Sequence, residues 1–289
     1  MNPLILAPVL LAVVALVIGS LLPTRVEAAA GVRIITAAVL LATGAAVVAG
    51  VHVLLAGLAM VPAVSEVLGW CGAVYAHHGA TPLAGALAGV VVVAMIWRAT
   101  ASIRSARHDA SQVPSGPGLT VVDIDAPVAL AVPGGGVVLG ARLLEELDDV
   151  GRAVVLAHER AHLDLHHHRY VRAVDACAAA LPFIRPLARR VRFLSECWAD
   201  AVAAEVVGSR EAVARTIATV ALMHRPSPDT RVLAFAQDGT LARVRILMDA
   251  PVRTSVGVRT TGVVLAGTVA GAAVVQFHHL TALAVGLWS

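Results

Sequence analysis

Val154-Val155-Leu156-Ala157-His158-Glu159-Arg160-Ala161-His162 is the stretch on which the reading of this chain turns. Val154, His158, His162 and Leu165 fall near one stripe, as residues three and four apart do on a helix. Both imidazoles can therefore reach a single metal ion. Glu159 is rotated onto the neighbouring surface, where it can serve as a base without ligating. Histidines on a stripe that should be apolar need partners, because burying an unpaired polar group is costly. The plainer alternative is a pair of hydrogen-bonded core histidines.

A zinc ion needs a third protein ligand and one open position. His168 stands ten residues after His158, as in the extended motif with three histidines. That motif has a glycine at the turn, where this chain has Leu165. On a helix that simply continues, His168 points away from the first pair. Glu196, within Ser195-Glu196-Cys197-Trp198-Ala199-Asp200 on a second helix, is the better candidate. Asp200 lies one turn further along the same face and can accept a hydrogen bond from a ligand imidazole, fixing its tautomer. A solvated helix face would also place Glu196 and Asp200 at this spacing.

The surroundings of this polar region are strongly apolar. Hydrophobic residues make up 58% of the 289 and charged residues 14%, with a mean hydropathy of +0.81. A soluble domain carries about 25% charged residues. Residues 1–97 contain only Arg25, Glu27, Arg33 and Glu66 as charges, and residues 260–289 contain none. Two apolar blocks thus flank one ordinary polar domain. The net charge is +3, and the arginines are interleaved with acids and form no stripe, which argues against direct nucleic-acid binding. Cys71, Cys177 and Cys197 are too few and too irregularly spaced for a disulfide framework or a Cys-x-x-Cys metal site.

The apolar blocks divide into four expected spans: Pro3–Leu22, Ile34–Val61, Pro82–Trp97 and Gly262–Trp288. No Lys or Arg precedes the first, which argues against a signal peptide. Gly85 with Gly89, and Gly267 with Gly271, have the spacing that lets helices approach closely in lipid. Arg25 and Arg33 flank the first loop, the 62–81 loop has no Lys or Arg, and Arg98, Arg104 and Arg107 follow the third span. The positive-inside rule then puts the first loop and the polar domain in the cytoplasm and both termini outside. The expected organisation is three spans in 1–97, the cytoplasmic domain in 98–259 and a fourth span in 260–289.

Within the polar domain, Ser111–Gly118 reads as a linker. Leu119–Ile124, Pro127–Val132 and Val137–Leu139 read as strands, the last two joined by a Pro133-Gly134-Gly135-Gly136 hairpin. Helices follow over Ala141–Asp149, Arg152 to about His168, and Leu187–Val207, the last with Gly208 as C-cap and Ser209 as the next N-cap. Val171–Ile184 is an apolar helix that either dips into the bilayer surface or packs in the core. Residues 226–239 read as a loop and Leu241–Met248 as a last short helix. His166, His167 and His168 read as a polar helix end. His77 and His78 read as solvated loop residues, whereas His278 and His279 inside the last span are functional candidates by position.

Ala131-Val132-Pro133-Gly134-Gly135-Gly136-Val137-Val138-Leu139, then Leu143-Leu144-Glu145-Glu146-Leu147, then Val155-Leu156-Ala157-His158-Glu159, resembles the hairpin and active-site helix of HtpX-type and BlaR/MecR-type membrane metalloproteases. Pro186-Leu187-Ala188, an Arg-rich stretch and Glu196-x-x-Ala199-Asp200 follow in the order of the BlaR/MecR type, antibiotic-sensing proteases that inactivate a cytoplasmic repressor. The resemblance implies an α-helical membrane bundle with an inserted α+β zincin-like metalloprotease domain. It implies Zn2+ held by His158, His162 and Glu196, with Glu159 as catalytic base. It also implies an arginine near the active site, Arg243 or Arg245, as transition-state stabiliser. The implied partners are a protein substrate such as a BlaI-like repressor, the lipid bilayer, and a membrane partner or second copy. Two departures stand out. The chain carries no counterpart of the penicillin-binding sensor domain, so it is not expected to bind a β-lactam itself. His166-His167-His168 replaces a stretch where an acidic residue among basics is expected.

The orientation is open to labelling. Cysteines placed at Gly79 and Ser289 should react with impermeant reagent from outside the cell, and one at Ser115 should not. The opposite pattern inverts the topology.

Overall fold

The computed structural model describes residues 27–68, 80–113, 118–124, 128–223 and 230–249, together with positions 17, 116 and 126; for residues 65, 67, 68 and 230–238 only the backbone is described. The first expected span apart from position 17, the fourth expected span, Cys71, His77, His78, Gly267, Gly271, His278 and His279 lie outside these residues.

Two long apolar helices come first, α1 (Ala28–Ala59) and, after the short α2 (Pro62–Leu68), α3 (Pro82–Ser111). By length and composition both could cross a membrane. Thr81 starts α3 by accepting the Ala84 N–H at 3.2 Å, with Pro82 in the first helical turn, where a missing N–H is harmless. Gly85 has its partner in Gly57 of α1. A Cβ on Gly57 would lie 2.6 Å from the Gly85 Cα, so the two backbones touch where side chains would keep them apart. α3 runs 14 residues beyond the expected span end at Trp97, from Arg98 to Ser111, without a break. Large apolar side chains along its first half, among them Leu83, Val90, Val93 and Trp97, are exposed.

The polar region opens with a three-stranded sheet of β1 (Leu119–Val122), β2 (Ala129–Ala131) and β3 (Val137–Gly140), in the order β1-β3-β2. β2 and β3 form the expected antiparallel hairpin, with Ala131 opposite Val137. β1 returns parallel to the other side of β3, with Leu119 opposite Val137. β3 is therefore central and fully buried. With both its edges paired it has none to offer an extended substrate, and the edge facing the helices belongs to β2.

Short α4 (Ala141–Glu146) leads to α5 (Asp149–Asp164), whose N-cap Asp148 accepts the Gly151 N–H at 2.7 Å. α5 ends four residues earlier than the sequence suggests. His166 turns left-handed (φ 54°), with its Nδ1 2.9 Å from the Leu163 carbonyl oxygen, and a new helix, α6 (His167–Ala180), begins at once. A short polar side chain that bonds its own backbone is what lets a non-glycine residue accept this conformation. α6 packs in the core: Val174, Cys177 and Ala178 meet Val32, Ile35 and Val39 of α1 and Leu187, Val191 and Trp198 of α7 (Arg185–Val207). Arg98 Nε ties α3 to the end of α6 by donating to the Ala179 carbonyl at 2.6 Å. α7 ends on left-handed Gly208, and Ser209 Oγ accepts the Ala212 N–H ahead of α8 (Arg210–Met223), as the sequence indicated. The last helix, α9 (Thr230–Met248), is longer than expected. Residues 230–239 were read as loop, yet between Thr230 and Gly239 there is no proline. The lone Gly239 costs a helix only about 1 kcal/mol.

The α1–α3 crossing makes its own forecast. Gly57→Ala should destabilise the purified chain by about 1–3 kcal/mol, because the added methyl meets backbone and not a movable side chain. Gly44→Ala, where a Cβ meets nothing within 4 Å, should cause no loss. Equal melting temperatures for the two variants would contradict so close a crossing.

Candidate metal centre

α5 and α7 pack side by side and bring their polar stripes together. His158 and His162 leave α5 one turn apart, with their Nε2 atoms 3.2 Å from each other. From α7, Glu196 Oε2 lies 3.4 Å from His158 Nε2, and Glu196 Oε1 lies 3.5 Å from His162 Nε2. A tetrahedron with metal–ligand bonds of about 2.0–2.1 Å has edges of about 3.3–3.4 Å. The contacts between these groups are therefore of the length of such an edge, and one ligand atom from each residue lies within 4.8 Å of the others. Among the described residues, these three form the group able to hold a metal.

A second layer holds each imidazole. His158 Nδ1 lies 2.9 Å from Asp200 Oδ1, so when the ring is neutral its proton sits on Nδ1 and the Nε2 lone pair faces the centre. Asp200 is 1% exposed and is gripped from the far side by Arg243, which donates from Nε to Oδ2 and from Nη2 to Oδ1, both at 2.7 Å. Arg243 Nη1 also lies 3.2 Å from Glu196 Oε2. Between the two arginines named from sequence, the structure selects Arg243; Arg245 is exposed on another side of α9. Arg243 faces the carboxylates, which makes it a support for Asp200 and Glu196. His162 Nδ1 is held differently, 3.0 Å from His167 Nδ1.

His167 is the residue that the sequence did not reveal. Five positions after His162, it would lie far round a continuous helix. The left-handed turn at His166 carries it back, and it is 1% exposed against Trp198. His168 lines the same cleft but lies outside the group of three.

The charges are strongly perturbed. Burial disfavours the His158 imidazolium, but hydrogen bonds to Asp200 and Glu196 outweigh it and lift the pKa to about 9. Burial raises the Glu196 carboxyl, yet His158 and Arg243 hold it down at about 2. Burial also raises Asp200, and the bonds from Arg243 and His158 reverse this to a net lowering. His162, buried and facing other cations, falls to about 4. Glu159 is raised by burial, against the pull of neighbouring His158. Its carboxylate also bonds the backbone of Ala131 on edge strand β2. Glu159, the three candidate ligands and β2 all line one cleft of about 400 Å³.

One proton therefore competes with a metal for these ligands. His162 is neutral and Glu196 ionised near pH 7, but His158 holds an extra proton up to about pH 9. The proton competes with the metal, so apparent zinc affinity should rise about tenfold per pH unit below pH 9. Zinc titrations at about pH 6.5, 7.5 and 8.5 test this, and a flat profile contradicts the protonation pattern.

Residues 99–185 match peptidase family M48, a stretch under a third of the chain. It includes the sheet, His158, Glu159 and His162, and stops before Glu196, Asp200 and Arg243. No curated protein and no solved structure matches the chain. The match and the compact His158–His162–Glu196 group together support a metalloprotease role for this domain.

Proposed function

We propose that this chain is a membrane-embedded zinc metalloendopeptidase acting on a protein substrate at the cytoplasmic membrane surface. The reading is carried by one observation: the side chains of His158, His162 and Glu196 converge, with contacts of 3.2–3.5 Å between them, and the non-ligating Glu159 lines the same cleft. His158, His162 and Glu196 are the zinc ligands in this reading. Zinc supplies Lewis acidity there, polarising a scissile carbonyl and making water nucleophilic near neutral pH.

The remaining work falls to the chain. Glu159 takes the proton of the attacking water and delivers it to the leaving amine. Its raised pKa suits a group that must hold that proton between the two steps. Asp200 keeps His158 in its ligating tautomer, and Arg243 keeps Asp200 ionised and in place. β2 is one of the two edge strands of the sheet and lines the cleft, so an extended substrate segment would add to it as a further strand. Such pairing reads backbone and favours a substrate with a flexible segment.

Two further features support placement at a membrane. α1 and α3 are long and apolar, and α3 exposes its apolar side chains. The arginines that follow the third expected span favour a cytoplasmic site. The order of motifs, similar to BlaR/MecR-type proteases, favours a regulatory substrate such as a transcriptional repressor.

Glu159→Gln should lower peptidase activity about 10²–10⁴-fold while zinc content stays near one per chain. Activity retained in this variant would exclude Glu159 as the base. Full zinc content in His158→Ala and His162→Ala would exclude the ligand assignment. Proteins that accumulate in Glu159→Gln cells relative to wild type identify the substrate.

A further inference from the structure

A ligating imidazole has two nitrogens with opposite duties. The one facing the metal must offer a lone pair, so the other carries the proton and needs an acceptor. His158 has Asp200 for this, and a carboxylate can only accept. His162 has no carboxylate at its Nδ1. The partner there is another imidazole, His167 Nδ1 at 3.0 Å.

Two neutral ring nitrogens at that distance share one proton, and the choice of donor decides what His162 can do. If His167 donated, His162 would carry its own proton on Nε2, the atom that faces His158 and Glu196, and could not ligate. If His162 donates, its Nε2 lone pair faces the centre and His167 carries its proton on Nε2. Only the second arrangement leaves His162 able to ligate, and packing holds the His167 ring in the place where it can accept. The ring is 1% exposed, meets His162 edge to face at 4.7 Å and lies against the Trp198 indole at 4.9 Å. Its Nε2, which carries the proton in that arrangement, is buried and has no hydrogen-bond partner among the described residues. Trp198 is itself braced by Arg33 of α1, whose guanidinium carbon lies 5.0 Å from the indole centroid.

We propose that His167 is a positioning residue: by accepting the Nδ1 proton of His162, it holds that ring in the one tautomer able to bind the metal. The two metal histidines are thus held by unlike partners, His158 by an anion and His162 by a neutral ring. The inference rests on the zinc reading above and adds to it a residue outside the His-Glu-x-x-His motif.

The test uses the purified full chain in detergent, with zinc affinity measured by competition against a chelating dye and the cobalt-substituted absorption spectrum recorded alongside. His167→Phe keeps a ring against Trp198 and removes the acceptor, and should weaken zinc binding about 10–100-fold. His167→Asn puts a carbonyl oxygen close to where Nδ1 stood and should stay within about threefold of wild type. His167→Gln keeps polarity and length but moves its oxygen away from that place, and should bind as weakly as the Phe variant. The cobalt spectrum of the Asn variant should follow wild type, and that of the Gln variant should not. Wild-type affinity in either the Phe or the Gln variant overturns the proposal, as does an Asn variant as weak as Gln. If one variant does not fold, the other two still decide. Failure of the wild-type chain to bind zinc through His158, His162 and Glu196 would instead overturn the underlying metal reading.

Discussion

Asp200 is a carboxylate almost wholly removed from water. Such a charge persists only if its lone pairs are met by donors, and here both oxygens receive Arg243 while one also receives His158. The three residues come from α7, α9 and α5, so one buried ion cluster joins three helices that share little sequence proximity. Removing one partner of a buried pair typically costs about 3–5 kcal/mol, because the other charge is left stranded. The arrangement of the site follows from this constraint. With Asp200 fixed, the His158 ring is fixed; with Arg243 fixed, Glu196 is drawn toward the same point.

Much of the site was legible before any coordinates. His158, Glu159 and His162 follow from helical spacing, and Glu196 with Asp200 from one turn of a second helix. The β2–β3 hairpin and the Gly208–Ser209 junction were equally plain, because proline, glycine and serine act locally there. What stayed hidden depends on contacts distant in sequence or on a single backbone conformation. The parallel pairing of β1 with β3 covers the second edge of β3 and leaves the edge at the cleft to β2, and no local pattern encodes it. The left-handed turn at His166 depends on one side chain meeting one carbonyl, and it alone brings His167 to His162. Arg243 and Arg245 are two positions apart and indistinguishable by composition; only the packing of α9 separates them.

The histidines illustrate how environment divides identical side chains. His158 is held near pKa 9 by two carboxylates, while His162, one turn away, is pushed to about 4 by burial. Glu159 and Glu196 diverge in the same manner: burial dominates at one, and cationic neighbours dominate at the other. A base and a ligand are thus drawn from the same residue type by position alone.

The unbroken course of α3 has a mechanical consequence. From Val90 to Ser111 it contains neither glycine nor proline, and it passes from exposed apolar side chains to arginine at Trp97–Arg98 without a hinge. Thirty residues at 1.5 Å each make a strut of about 45 Å. Pivoted at Arg98, a tilt of about 10° in the apolar half swings the Ser111 end by about 3–4 Å. Because Arg98 is also fastened to the carbonyl of Ala179, the fulcrum of this lever is the end of α6, the helix that begins at His167.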